Sequence, residues 1–191
     1  MRLFYAAYLS PENIRAYQVL VDRLIEEVPG TLRSVPHLTH HLTLAFLGEI
    51  SESDANRCSE ALKAIGQFEA FEYSLGPPSV LMGRGRPRLV RVSVTEGMEQ
   101  VREVQTDLIS GVSENLLSIE TRSKPPHITL ARFKKNARKS QTRQVEAALE
   151  RADAPLPQKG QFASVQLVKS TLTPSGPIYE TLREVHLTTT A

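Results

Sequence analysis

His41-Leu42-Thr43-Leu44-Ala45 reappears as His127-Ile128-Thr129-Leu130-Ala131, 86 positions further along a chain of 191 residues. Each copy alternates polar and apolar side chains, the period of a strand with one buried face. His41 and Thr43 therefore point one way and Leu42 and Leu44 the other, as do His127 and Thr129 against Ile128 and Leu130. Outward from each copy the same order of elements recurs, a helix before the motif strand and a helix with two strands after it. In the first half Ser10 caps a helix begun by Pro11, with Ile14, Tyr17, Leu20, Leu24 and Val28 as its apolar stripe and Gly30 as its stop. The motif strand runs over 41–47, a helix capped by Ser51 over about 53–67, and strands over 71–75 and 89–94. The Gly- and Pro-rich stretch between those two strands, from Gly76 to Pro87, reads as a long exposed loop. In the second half the helices cover about 97–116 and 140–152, the motif strand 127–133, and the last strands 162–171 and 178–187. Short turns after each second helix favour antiparallel pairing. The expected fold is α+β, one domain over 1–191 with two pseudo-symmetric lobes, each a small mixed or antiparallel sheet packed with helices, and a cleft between them.

Composition narrows the setting. Apolar residues make up 40% and charged residues 23% of the chain, ordinary globular values. No apolar run is long enough for a transmembrane helix, and the apolar start at Leu3 to Leu9 leads straight into Ser10-Pro11 without a signal-cleavage site. The single cysteine, Cys58, shares an apolar stripe with Leu62 and Ile65 and reads as a buried thiol, which points to a cytoplasmic setting. A net charge of +2 is too small for a duplex-coating protein and suits a modest anionic ligand. Basic residues gather in Arg84-Gly85-Arg86-Pro87-Arg88 with Arg91, and in Arg132, Lys134, Lys135, Arg138 and Lys139. A solvated surface is the plain reading of such groups, and in the Gly- and Pro-rich stretch of the first the arginines could reach a phosphate backbone beyond the scissile group.

The chemistry lies in the repeat. One His-x-Thr in a strand is most simply a polar strand face, but packing accounts for Leu42, Leu44, Ile128 and Leu130, not for the repeated His and Thr. Two imidazoles opposed across a cleft suit in-line displacement at a phosphodiester, one taking the proton of the attacking oxygen and one protonating the leaving oxygen. The threonine hydroxyls can donate to non-bridging phosphate oxygens. This scheme calls for no cofactor and no metal. His37, His40 and His41 would converge on a metal only on a helix, which Pro36 and Thr39 oppose, so His37 and His40 read as exposed loop residues and His186 as structural or exposed.

Arg2-Leu3-Phe4, His41 through Gly48, Pro126 through Arg132, and Ser170-Thr171-Leu172-Thr173-Pro174 with Tyr179 together resemble the bacterial and archaeal RNA 2',3'-cyclic phosphodiesterases, also called 2'-5' RNA ligases, of the two-histidine phosphoesterase superfamily. The resemblance runs from end to end. It implies a bilobal, metal-independent, monomeric enzyme that acts on RNA ends or nucleotides carrying a 2',3'-cyclic phosphate and leaves a 2'-phosphate, with 2'-5' ligation as the possible reverse. It assigns catalysis to His41 and His127 and phosphate contacts to Thr43, Thr129 and Arg132, with His127 activating water and His41 protonating the leaving oxygen. Strict alternation, however, puts Arg132 with Ile128 and Leu130, and Phe46 with Leu42 and Leu44, on the core face. Rival readings are a phosphodiesterase of 2'-5' oligoadenylate or another small cyclic nucleotide, and a non-catalytic RNA-binding module. The second need not keep both motifs.

Overall fold

The computed structural model describes residues 1–35, 40–113, 126–152, 156–173 and 176–189. In chain order the elements are β1 (Arg2–Tyr8), α1 (Pro11–Glu27), β2 (Leu32–Ser34), β3 (His41–Glu49), α2 (Glu52–Ala64), β4 (Phe71–Leu75), β5 (Ser79–Gly83), β6 (Arg86–Glu96), α3 (Met98–Ser113), β7 (His127–Phe133), α4 (Lys139–Glu150), β8 (Lys159–Phe162), β9 (Ser164–Thr173) and β10 (Gly176–His186). The helix starts follow local chemistry. Ser10 accepts from the Asn13 backbone N–H with Pro11 at the first helical position, and Ser51 accepts from that of Asp54. The stripe of α1 is deeper than its hydrophobic spacing suggests, because Asn13 and Val21 are buried with Tyr17, Leu20 and Leu24. Asn13 donates to the Tyr73 hydroxyl and to the Lys159 carbonyl, tying α1 to β4 and β8. Cys58 is fully buried, as its stripe implies, with Leu62 and Ile65 beside it.

The strands form one curled path, β10-β9-β1-β3-β7-β6-β4-β8, with β2 on β7 and β5 on β6. Every pairing among these strands is antiparallel. The stretch from Gly76 to Pro87 is not the long loop that its glycines and prolines suggest. It contains β5, and β5 and β6 make a hairpin closed at Gly83–Arg86 by Arg84 (φ 45°) and Gly85 (φ 77°). Two consecutive positive φ angles are those of a type I' turn, whose twist matches the flanking strands.

The hairpin also redraws the repeat. β6 lies beside β7 as β1 lies beside β3, so β6 opens the second half as β1 opens the first. The closing strands cross over: β9 from the second half joins β1 and β3, and β5 from the first half joins β6 and β7. Each lobe is thus completed by a strand of the other half.

Among the described residues the two motif strands, β3 and β7, meet at one backbone pair, Leu42 with Ile128, which are equivalent residues of the two motifs. A local two-fold axis passes through that pair. Both side chains are fully buried in the main core. A slip of one residue would expose them at about 1.5–3 kcal/mol per side chain and drive the histidines inward, so the register is held by the core.

Each motif strand is broken by a bulge at the same place. Thr43 pairs with Ala6 and Ala45 with Tyr5, leaving Leu44 unmatched, and Thr129 pairs with Arg91 and Ala131 with Val90, leaving Leu130 unmatched. The Leu44 carbonyl accepts from Gln105 Nε2 of α3 at 2.8 Å. Replacing Gln105 with leucine leaves that carbonyl without its side-chain donor, and urea unfolding is expected to show a loss of about 1–3 kcal/mol. An unchanged midpoint would mean that the bulge does not depend on α3.

Candidate active site

The strand faces opposite the main core carry the candidate residues. On β3 the outward set is His41, Thr43 and, after the bulge, Phe46; on β7 it is His127, Thr129 and, after the bulge, Arg132. In each strand two consecutive residues point inward, Leu44 with Ala45 and Leu130 with Ala131, all of them buried. That shifts the alternation by one. Strict alternation put Phe46 and Arg132 on the core face; the bulges bring both to the face of the histidines, where they occupy equivalent places in the repeat.

The pair Leu42–Ile128 sets the rest by register. One residue to either side, His41 lies opposite Thr129 and Thr43 opposite His127. In a regular ladder opposite Cβ atoms are about 4.5–5.5 Å apart and diagonal neighbours about 7–8 Å. The ladder does not continue past this pair, so the seam is wider than that on both sides. Two imidazoles and two hydroxyls therefore line one seam between the lobes, side by side on a curled sheet.

The surroundings of the two histidines differ. His41 packs among aromatic rings: Phe4 stacks on it with centroids 5.1 Å apart, Tyr8 is tilted against it at 5.4 Å, and Tyr179 meets it edge-on at 5.5 Å. Phe4, Ala6 and Val168 form a small apolar cluster, separate from the main core, that Tyr8, Phe46 and Tyr179 complete. The guanidinium of Arg2 lies 4.6 Å over the Phe46 ring. Beside β7 the corresponding positions are Ser93, opposite His127, and Arg91, opposite Thr129, where β1 offers Tyr8 and Ala6. Arg132 pairs with Arg33 of β2 on one side and Leu89 of β6 on the other.

Burial shapes these groups. It pushes the Tyr8 hydroxyl up to about 12, with Tyr179 and Glu184 adding to the effect, and it raises Tyr179 against the opposing pull of Arg132 and Arg2. Both phenols are therefore neutral donors near pH 7. Burial lowers Arg132, Tyr179 opposes that, and Arg33 and Arg88 press the same way as burial. A guanidinium crowded by cations and half-removed from water favours an anion beside it.

The sequence assigned no site role to Phe4, Tyr8, Phe46 or Tyr179, and Arg91 entered only as one of a basic group. Leu3 to Leu9 is nearly all apolar or aromatic, so alternation does not show which residues leave the core, and Tyr179 reaches the site from β10, far along the chain. His40 is fully buried, not exposed, because it precedes β3 where its carbonyl accepts from the Leu9 N–H. His37 lies outside the described residues, and His186 is exposed. Among the described residues no three His, Cys, Asp or Glu side chains gather in a group that could hold a metal ion. Nor does any described helix have the length and apolarity to cross a membrane.

The family model of the 2'-5' RNA ligase superfamily matches residues 10–173, from the first helix cap to the end of β9. The chain belongs to that superfamily. It is 33% identical over 195 residues to an RNA 2',3'-cyclic phosphodiesterase of Thermus thermophilus, spanning 98% of this chain and 90% of the relative. A relative of the same name from Aeropyrum pernix is 32% identical over 154 residues, 81% of this chain and 85% of its own. The solved structure of a Thermus thermophilus protein superposes with a TM-score of 0.75 at 30% identity, covering 98% of both chains. This likeness shows that the curled sheet and its helices are a fold the two proteins share from end to end.

For this superfamily member, inorganic phosphate titrated into histidine-labelled protein is expected to shift the ring signals of His41 and His127 with one common Kd. Arg132→Ala should weaken that Kd by about 10- to 100-fold, the value of about 1.5–3 kcal/mol for a hydrogen bond to a charged group. Two different Kd values would show that the rings line separate sites.

Proposed function

We propose that this chain is a single bilobal domain acting as an RNA 2',3'-cyclic phosphodiesterase, with His41 and His127 as its acid and base and Thr43, Thr129 and Arg132 as its phosphate contacts. The observation that carries this reading is the Leu42–Ile128 pair, which gathers both His-x-Thr motifs on one face. The relatives named as RNA 2',3'-cyclic phosphodiesterases support it.

A cyclic phosphate bound in the seam has its phosphorus between the imidazoles. His127 takes a proton from water as the water oxygen bonds to phosphorus. His41 gives a proton to the ribose 3'-oxygen as the bond from phosphorus to that oxygen breaks, and a 2'-phosphate remains. The hydroxyls of Thr43 and Thr129 and the Arg132 guanidinium hold the non-bridging oxygens, whose charge grows as the water adds. The two surroundings differ: His41 lies among the rings of Phe4, Tyr8 and Tyr179, and His127 lies opposite Ser93, with Arg91 opposite Thr129. A 5'-hydroxyl in place of water would give a 2'-5' linkage by the same path. No cofactor enters these steps, and the protein would work as a cytoplasmic monomer.

A panel of cyclic-phosphate mononucleotides, cyclic-phosphate RNA ends and 2'-5' linked oligomers tests the substrate class, with the position of the product phosphate determined. His41→Ala and His127→Ala should each lower kcat by about 10²–10⁴. Thr43→Ala or Thr129→Ala, which remove one hydrogen bond from an uncharged donor to a phosphate oxygen, should cost about 10-fold. Folded histidine variants with near-normal turnover would remove the proposed roles.

A separate measurement orders the two histidines. A substrate whose 3'-oxygen is replaced by a better leaving group needs less protonation, so it should rescue His41→Ala far more than His127→Ala. The reverse pattern would exchange acid and base.

A further inference from the structure

The two basic groups that lie 40 or more residues apart in the chain come together on one lobe. Residues 76–95 and 126–145 hold ten of the 23 lysines and arginines and no aspartate or glutamate. With a net charge of only +2 for the whole chain, such a segregation is a local field and not a general excess. The β5–β6 turn and the turn between β7 and α4 enclose a groove of about 370 Å³ into which Arg86, Lys135 and Lys139 project beside Gly85, Pro87 and Asn136. Among the described residues no acidic side chain lines it.

The groove is joined to the candidate active site by a line of cations. Arg91 lies opposite Thr129, Arg132 follows on the same face of β7 after the bulge, and Arg33 is paired with Arg132. Arg88 is close enough to act electrostatically on Arg132. From Thr129 to the end of β7 at Phe133 the chain advances four residues, about 13 Å at the rise of a strand, and the turn that carries Lys135 follows. Together they span more than one nucleotide. The other lobe presents the opposite character at the equivalent positions, with Ala6 in place of Arg91 and Phe46 in place of Arg132.

From this asymmetry we propose that the Arg86, Lys135 and Lys139 groove is a binding track for the backbone of a single-stranded RNA whose 3' end enters the seam. This rests on the phosphodiesterase reading above and extends it: the preferred substrate is an RNA chain end, not a free cyclic mononucleotide. The phosphates on the 5' side of the terminal nucleotide run along β7 past Arg132 and into the groove. Backbone contacts of this kind position a strand without reading its sequence, so the track raises affinity for any base composition. The two-residue turn that carries Gly85 sets Arg86 at the edge of the groove.

The test compares two substrates across a salt series: a cyclic-phosphate mononucleotide and an oligoribonucleotide of about eight residues ending in the same cyclic phosphate. The wild-type protein should show a higher kcat/KM on the oligonucleotide and a steeper fall of it with salt. The triple variant Arg86→Ser, Lys135→Ser, Lys139→Ser should lose at least about 10-fold on the oligonucleotide at low salt and remain within about 2-fold of wild type on the mononucleotide. For single strands each phosphate contact contributes about 0.7 to the slope of log K against log salt, so the variant should be shallower by about 2. Equal losses on both substrates, or identical salt slopes for the two in the wild type, would overturn the track. Fluorescence anisotropy of a labelled, 3'-phosphorylated oligoribonucleotide reads the same slope without turnover, so failure of catalysis is told apart from failure of the track. Lys135→Glu, a single exposed change, repeats the comparison should the triple variant unfold. A variant that binds the oligonucleotide with wild-type salt dependence would likewise sink the proposal.

Discussion

One backbone pairing carries the arrangement of this protein. Leu42 and Ile128 meet where the two lobes touch, and because they are equivalent residues of a repeat, whatever flanks one is placed symmetrically about the other. Their side chains are sealed in the core. The residues on either side of them therefore face out of it, and His41, Thr43, His127 and Thr129 are brought to a common seam by the packing of two apolar side chains. Register here is a thermodynamic property of the core, and the candidate chemistry inherits it.

The bulges at Leu44 and Leu130 add what alternation alone denies. An extra residue in each motif strand turns the next outward position through to the site face. The same backbone device delivers an aromatic ring, Phe46, in one lobe and a guanidinium, Arg132, in the other. Symmetry of backbone and asymmetry of side chain thus coexist. A phosphate diester is itself asymmetric, with a departing oxygen on one side of phosphorus and an entering oxygen on the other, and a site of like imidazoles in unlike surroundings matches that need.

The exchange of closing strands bears on how the lobes hold together. β9 completes the sheet begun by β1 and β3, and β5 the sheet begun by β6 and β7. Neither half of the chain finishes its own lobe. The seam is consequently buttressed by pairings on both sides as well as by the single pair at its centre, and Gln105 of α3, reaching the Leu44 carbonyl, links the second half to the motif strand of the first.

Much of this was legible in the residues alone. The repeat, the strand alternation about each His-x-Thr, the Ser10 and Ser51 caps and the buried Cys58 are local patterns, and local patterns follow from the period of a helix or a strand. They determined the fold class and named the two histidines and two threonines. Only the tertiary structure decided which residues share a face beyond them. Leu44-Ala45 and Leu130-Ala131 are apolar with or without a bulge, so the phase shift that frees Phe46 and Arg132 leaves no mark on the sequence. The hairpin at Arg84-Gly85 was hidden by the glycines and prolines around it, and His40 was misread as exposed because its burial comes from neighbours distant in the chain. The convergence of Arg86 with Lys135 and Lys139 is of the same kind. Pairings between residues tens of positions apart are chosen by which faces bury together, and that choice belongs to the folded whole.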